Sequence, residues 1–429
     1  MPAQLNVASL LGELTLEEKA SLCLGSDFWH TAPIPRLGIP AVAMSDGPHG
    51  LRKQPDEGDH VGISGSLPAT CFPTASALGS SFDPELVRRV GEALGAEALA
   101  QGVAVVLGPG INIKRSPLCG RNFEYFSEDP LVSGVLGSAL VDGLQSQGVG
   151  ASVKHYAANN QETDRLRVSA DVDERTLREI YLPGFERVVT KARPWTVMCA
   201  YNKVNGVYAS ENRWLLTELL RGEWGFEGLV VSDWGAVHDR VVALAAGLDL
   251  EMPPNLGVSD AAIVAAVCSE ELDEVVLDRA VSRVLQLIDR ATQSAADDGD
   301  EATAEPGFDA DGHHALARAA ATECAVLLKN DGDLLPLQPS AGDMVAVIGE
   351  FSRTPRYQGA GSSQVNPTRV DNPPEELRTA VPDGVRVEFS PGFSIGTTAD
   401  AELAAEAVSL AGRASVVVAF LGLPDADES

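Results

Sequence analysis

Asp233 and Trp234 close a short apolar run, Gly228-Leu229-Val230-Val231-Ser232. The run is too short for a helix and reads as a buried strand. A carboxylate at its end is costly unless something needs it there. In a protein of alternating strands and helices, the strand ends are where reacting groups are mounted. Asp233 is therefore the lead candidate for the reacting group. The competing reading is a helix cap, a common task for aspartate, on a helix beginning near Ala236.

Other strand ends carry a matching inventory. Ser45-Asp46-Gly47-Pro48-His49-Gly50-Leu51-Arg52 sets a carboxylate and a guanidinium in one tight loop, as either a binding pair or a structural ion pair. The stretch from Asn112 to Pro130 has no period and mixes Arg121 and Glu124 with Phe123, Tyr125 and Phe126, which suits a polar pocket with aromatic walls or an ordered loop across a barrel mouth. Lys154-His155 follows Gly150-Ala151-Ser152-Val153, and nearly everything from Asn159 to Arg165 can hydrogen-bond. Adjacent cations at a strand end repel unless an acceptor-rich ligand or a carboxylate faces them. Tyr201-Asn202 ends another such run. Together these groups suit an uncharged, polyhydroxylated ligand, with Trp and Phe covering the apolar face of a sugar ring. Gly359-Ala360-Gly361-Ser362-Ser363 lacks a third glycine at dinucleotide spacing, so it is a weak nucleotide signal.

The elements that must position these residues repeat. Apolar runs end in polar residues at 42–46, 103–112, 151–160, 195–202, 229–233 and 247–251. Between them lie helical stretches at 83–101, 130–147, 174–191, 212–222 and 259–290. Thr15-Leu16-Glu17-Glu18 has capping-box form. Asp83 as N-cap with Pro84 at the first helical position starts the clearest helix. Strand, polar loop and helix in repetition predict a (β/α)8-type barrel over 1–292. A doubly wound open sheet is the alternative. A linker over 293–312 and a second α/β unit over 313–429 follow, with a helix at 313–329, a strand at 344–349, a helix at 399–413 and a strand at 415–422. So few elements predict an incomplete α/β sandwich, truncated at its C-terminal side.

Composition narrows the partners. Acidic residues outnumber basic ones 61 to 32, for a net charge of −29, which argues against nucleic acid and anionic membranes. The six cysteines are scattered without metal-ligand spacing, so neither a metal nor another cofactor is expected. No run reaches membrane-spanning length and no secretory leader is legible, which favours the cytoplasm. Oligomeric state is left open.

The strings R-L-G-I-P at 36–40, S-D-G-P-H-G-L-R at 45–52, P-L-C-G-R-N-F-E-Y at 117–125, K-H-Y-A-A-N-N-Q-E-T at 154–163, P-W-T-V-M-C-A-Y-N at 194–202 and V-S-D-W at 231–234 resemble glycoside hydrolase family 3, in its β-glucosidase branch. The resemblance covers essentially the whole chain. It implies a retaining, exo-acting β-glycosidase hydrolysing terminal β-D-glucosyl residues, with Asp233 as nucleophile. Asp46, Arg121, Lys154, His155 and Arg165 match positions that hold the sugar's hydroxyls. Tyr201 would lie near the nucleophile, Trp234 beside the ring, and Arg52 behind Asp46. Ser362 matches a residue reaching over the barrel mouth from the second unit. Ala157-Ala158-Asn159 departs from the subgroup that removes N-acetylglucosamine. Retention requires a second carboxyl roughly 5 Å from the nucleophile. The resemblance puts it just beyond Ser429, with Glu428 the nearest candidate in the chain. The alternative is a catalytically silent sugar-binding homologue.

Overall fold

The computed structural model describes residues 5–55, 65–297, 307–396 and 399–425. Five parallel strands, Met44–Asp46, Val105–Leu107, Gly150–Tyr156, Thr196–Cys199 and Leu229–Ser232, pair in sequence order and curl into a half-barrel. Isolated parallel bridges, Val231 to Leu250 and Leu24 to Glu251, continue the curl. Every residue of the five strands is buried, as expected where both faces of a parallel sheet are covered.

Side-chain alternation divides the strands between two cores. Val106, Val197 and Val230 pack with the helices Pro84–Ala100 and Pro130–Ser146. Val105, Leu107, Met198, Leu229 and Val231 pack with the helices Leu16–Leu22 and Glu274–Asp297. Parallel order then brings all the strand C-termini to one end, where the polar loops gather.

The helix starts obey local chemistry. Thr15 and Glu18 form the reciprocal capping box. Asp83 and Asp129 each accept two backbone N–H groups ahead of a proline at the first helical position. The helices Pro84–Ala100 and Pro130–Ser146 cross with their backbones almost touching. A Cβ on Gly143 would lie 2.2 Å from the Arg88 carbonyl oxygen and 2.9 Å from Gly91 Cα. Gly143→Ala is expected to force the pair apart and cost about 1–3 kcal/mol, read as a lowered denaturant midpoint. An unchanged midpoint would mean that the helices slide without loss.

Some boundaries differ from the sequence expectation. The helix expected over 174–191 is interrupted before Pro183, whose ring cannot continue the hydrogen-bond ladder. That expected over 259–290 is two, Val258–Cys268 and Glu274–Asp297, broken where Glu270 takes φ 61° and Asp273 accepts from Val275 N. The second of these runs into the stretch expected as linker. The helix expected at 313–329 spans Ala310–Glu323, started by Asp309 accepting from Gly312 N. Only the bridges at Leu250 and Glu251 represent the sixth apolar run.

The second unit holds a parallel sheet in the order Arg386–Ser390, Met344–Ile348, Val416–Ala419. It meets the first unit at several places, two of them away from the strand ends. Asn366–Pro367 pairs in parallel with Pro68–Ala69. The Ala310–Glu323 helix buries Ala320 in the barrel-side core, and His313 Nδ1 lies 2.7 Å from Glu97 Oε1. Among the described residues, no helix is long and apolar enough to cross a membrane.

Candidate active site

A cavity of about 380 Å³ opens at the C-terminal ends of the strands. Asp46, Arg52, Arg121, Lys154, His155, Arg165, Tyr201, Asp233, Trp234 and Ser362, all singled out from the sequence, line it. Each strand or loop delivers a share. Asp46 ends the first strand, Lys154 and His155 lie on the third, Tyr201 and Asp233 follow the fourth and fifth, and Ser362 comes from the second unit. Successive residues of a regular strand face opposite sides. The ladder is irregular between Val153 and Tyr156, and both Lys154 and His155 line the cavity.

The helix-cap alternative for Asp233 does not hold. The next helix spans Arg240–Ala246 and is capped by Asp239. Asp233 is buried; its Oδ1 accepts from Trp234 N at 2.8 Å, and its Oδ2 has no hydrogen-bond partner. Burial raises its carboxyl above the ordinary range, and the charges of Arg121 and Lys154 oppose that rise without cancelling it.

Around this oxygen the charges interlock. Lys154 Nζ lies 3.4 Å from Asp46 Oδ1 and 3.9 Å from Glu124 Oε2. Arg121 Nε pairs with Glu124 Oε1, and Arg121 Nη2 donates to His155 Nε2 at 2.8 Å. Guanidinium nitrogens only donate, so His155 Nε2 is the acceptor and its proton sits on Nδ1, which donates to Tyr125 Oη at 3.1 Å. Burial, reinforced by Arg121 and Lys154, holds this imidazole well below the usual histidine range and therefore neutral. His155 Nε2 is also 3.6 Å from Asp233 Oδ2, but it has no proton to give there. Asn112 fixes the residue from behind: its Oδ1 accepts from His155 N at 2.8 Å, and its Nδ2 donates to His155 O at 2.9 Å.

One rim is aromatic. Phe28, Trp29 and Trp234 cluster, with Trp29 and Trp234 centroids 5.5 Å apart. Trp234 is held by its Nε1 donating to Phe28 O at 2.8 Å and by Tyr201 Oη donating to its carbonyl at 2.9 Å. Arg165 stacks 4.8 Å over the Tyr201 ring and donates to Glu162 Oε2 at 3.0 Å. Arg52 joins the units: its backbone N–H donates to Asp46 O at 2.9 Å and its Nη1 to Ser362 O at 3.0 Å.

Two lining residues of consequence, Phe28 and Trp29, were not singled out from the sequence, and Glu124 was read only as part of the 112–130 pocket stretch, with no role of its own. For Glu124 a signal existed, the i, i+3 spacing to Arg121 within one short turn. Phe28 and Trp29 lie in the irregular segment after Leu24, which has no strand or helix period. Glu428 lies outside the described residues. Among the described residues, no cluster of His, Cys, Asp and Glu has the makings of a metal site.

The profile of the Glycosyl hydrolase family 3 N terminal domain matches residues 31–287, and that of the Glycosyl hydrolase family 3 C-terminal domain matches 325–429. The chain belongs to glycosyl hydrolase family 3. Its relatives include the thermostable beta-glucosidase B of Acetivibrio thermocellus, 55% identical over 99% of this chain and 55% of that protein. The exo-alpha-(1->6)-L-arabinopyranosidase of Bifidobacterium breve is 50% identical over 97% of this chain and 55% of its own length. The crystal structure of the Bifidobacterium adolescentis family 3 beta-glucosidase superposes with a TM-score of 0.88, at 50% identity, over 98% of this chain and 58% of that one. Beta-glucosidase 3B of Thermotoga neapolitana, solved in complex with alpha-D-glucose, superposes with a TM-score of 0.80 at 38% identity, over 94% of this chain and 56% of that one. The chain spans about half the length of the curated relatives it matches.

Proposed function

We propose that this chain carries the sugar pocket and nucleophile of a retaining, exo-acting β-glycosidase of the β-glucosidase kind. The observation that carries the reading is Asp233 Oδ2, a buried carboxylate oxygen without a hydrogen-bond partner, on the wall of a cavity lined by hydrogen-bonding side chains and aromatic rings. In the first step Asp233 attacks the anomeric carbon, the glycosidic bond breaks, and the leaving oxygen takes a proton from a general acid. In the second, water attacks the glycosyl ester and the same acid, now a base, takes its proton. Asp46, Arg121, Lys154, His155 and Arg165 would hold the hydroxyls and Trp234 the ring face, with Tyr201 near the nucleophile and Arg52 and Ser362 bracing the mouth.

The acid–base residue is not assigned. Besides Asp233, the carboxylates lining the cavity are Asp46, facing Lys154, and Glu124, paired with Arg121. Burial acts to raise Glu124, but Arg121 and Lys154 outweigh it and hold the carboxyl below its ordinary range, unsuited to giving a proton at neutral pH. The test uses 2,4-dinitrophenyl β-D-glucoside, whose leaving group needs no proton. Release of dinitrophenolate, accelerated by azide with β-glucosyl azide as product, is expected. Glucose binding without release would leave a silent sugar-binding protein, and neither effect would remove the glycosidase reading. The arabinopyranosidase relative makes the matching α-L-arabinopyranoside the second substrate to assay.

A further inference from the structure

We propose that Glu124 is the positioning residue of this pocket: its buried carboxylate holds Arg121 and Lys154, and through Arg121 the ring of His155, in the arrangement that meets the sugar. The proposal rests on the glycosidase reading above. Glu124 is only 2% exposed, where an unpaired carboxylate would be expensive. Its Oε1 is taken by Arg121 Nε, which leaves Arg121 Nη2 aimed at His155 Nε2, 2.8 Å away. Its Oε2 faces Lys154 Nζ at 3.9 Å, is buried, and has no hydrogen-bond partner. One side chain thus reaches two of the cations expected to meet hydroxyls, and it orders the histidine through the first.

The arrangement also has an electrostatic consequence. Asp233 is faced by Arg121, Lys154 and Arg165, by neutral His155 and by Tyr201, with Asp46 and Glu124 as the carboxylates opposite the first two cations. Glu124 offsets one positive charge in this set. Without it, Arg121 would lose its facing carboxylate and Lys154 would keep only Asp46, so the pair would act more strongly on Asp233 and favour its ionised form at lower pH.

Glu124→Gln removes the charge and keeps the shape. Trp29 and Trp234 line the cavity, so intrinsic fluorescence reports glucose binding independently of turnover. The glucose Kd of Glu124→Gln is expected to weaken by about 10- to 100-fold, the worth of charged hydrogen bonds. The acid limb of kcat/KM for the dinitrophenyl glucoside is expected to move to lower pH. Glu124→Asp, with charge retained and the stem shortened, should keep the wild-type acid limb and fall between the two in affinity. A Glu124→Gln variant with wild-type Kd and acid limb would overturn the proposal. If that variant does not fold by circular dichroism, a folded Glu124→Asp with wild-type Kd would do so equally. A wild-type chain that neither binds glucose nor releases dinitrophenolate would instead remove the underlying reading.

Discussion

Asp233→Ala loses dinitrophenyl β-glucoside turnover by a factor on the order of 10⁴ or more, the scale on which removal of a catalytic nucleophile acts, while glucose still binds. The product formed with azide decides the role. In the wild-type chain azide intercepts a glycosyl ester and gives the β-azide. In the alanine variant azide enters the space left by the carboxylate, attacks the anomeric carbon directly, and gives the α-azide. The fold should survive the change. Asp233 is a buried carboxylate with one oxygen lacking a partner, a group that costs rather than contributes stability. Its removal leaves Arg121 and Lys154 opposite Asp46 and Glu124, which is a neutral set. The melting temperature should therefore stay close to that of the wild type. Undiminished turnover, or a β-azide product from the variant, would show that another group attacks.

The site was legible in the sequence because parallel strands buried on both faces leave a plain signature, an apolar run with an abrupt polar end. Leu229–Ser232 before Asp233 has that form, and parallel order puts such ends on one rim. Helix starts were legible for an equally local reason, since Asp83, Asp129 and Thr15 cap through bonds spanning two or three residues. What depends on distant partners was not. Arg386–Ser390 alternates charged and apolar residues as a half-buried strand does, but over only five positions, too few for the period to stand out. The break at 269–273 turns on one left-handed residue, Glu270, whose side chain does not announce it. The Ala310–Glu323 helix was expected with the second unit, yet it packs Ala320 against the barrel side, and an amphipathic stripe does not say which surface it will cover. Glu124 stood in the 112–130 pocket stretch without a role of its own, because that role lies in pairing with Arg121 and Lys154, and the Lys154 contact spans thirty positions of sequence.

Lys154→Met is expected to lower both stability and activity, through one buried charge. The side chain is 3% exposed, and its Nζ lies 3.4 Å from Asp46 Oδ1. Methionine matches the length of the stem and leaves Asp46 facing an apolar end. Removing one partner of a buried pair costs about 3–5 kcal/mol, because the other charge stays buried without compensation. Glu124 keeps Arg121, so the loss falls mainly on Asp46, and Asp46→Asn on the same background should recover part of it. The pH dependence gives a separate handle. Burial already raises the Asp233 carboxyl, and Lys154 is one of the charges restraining it. Without that cation the carboxyl rises further, the ionised nucleophile exists only at higher pH, and the acid limb of kcat/KM moves up. Glu124→Gln should move the same limb down, since it removes a negative charge from the same cluster. Opposite displacements in the two variants would tie both residues to the protonation of Asp233. Displacements of the same sign, or a Lys154→Met protein with the wild-type melting temperature, would mean that this lysine is solvated and its contact with Asp46 incidental.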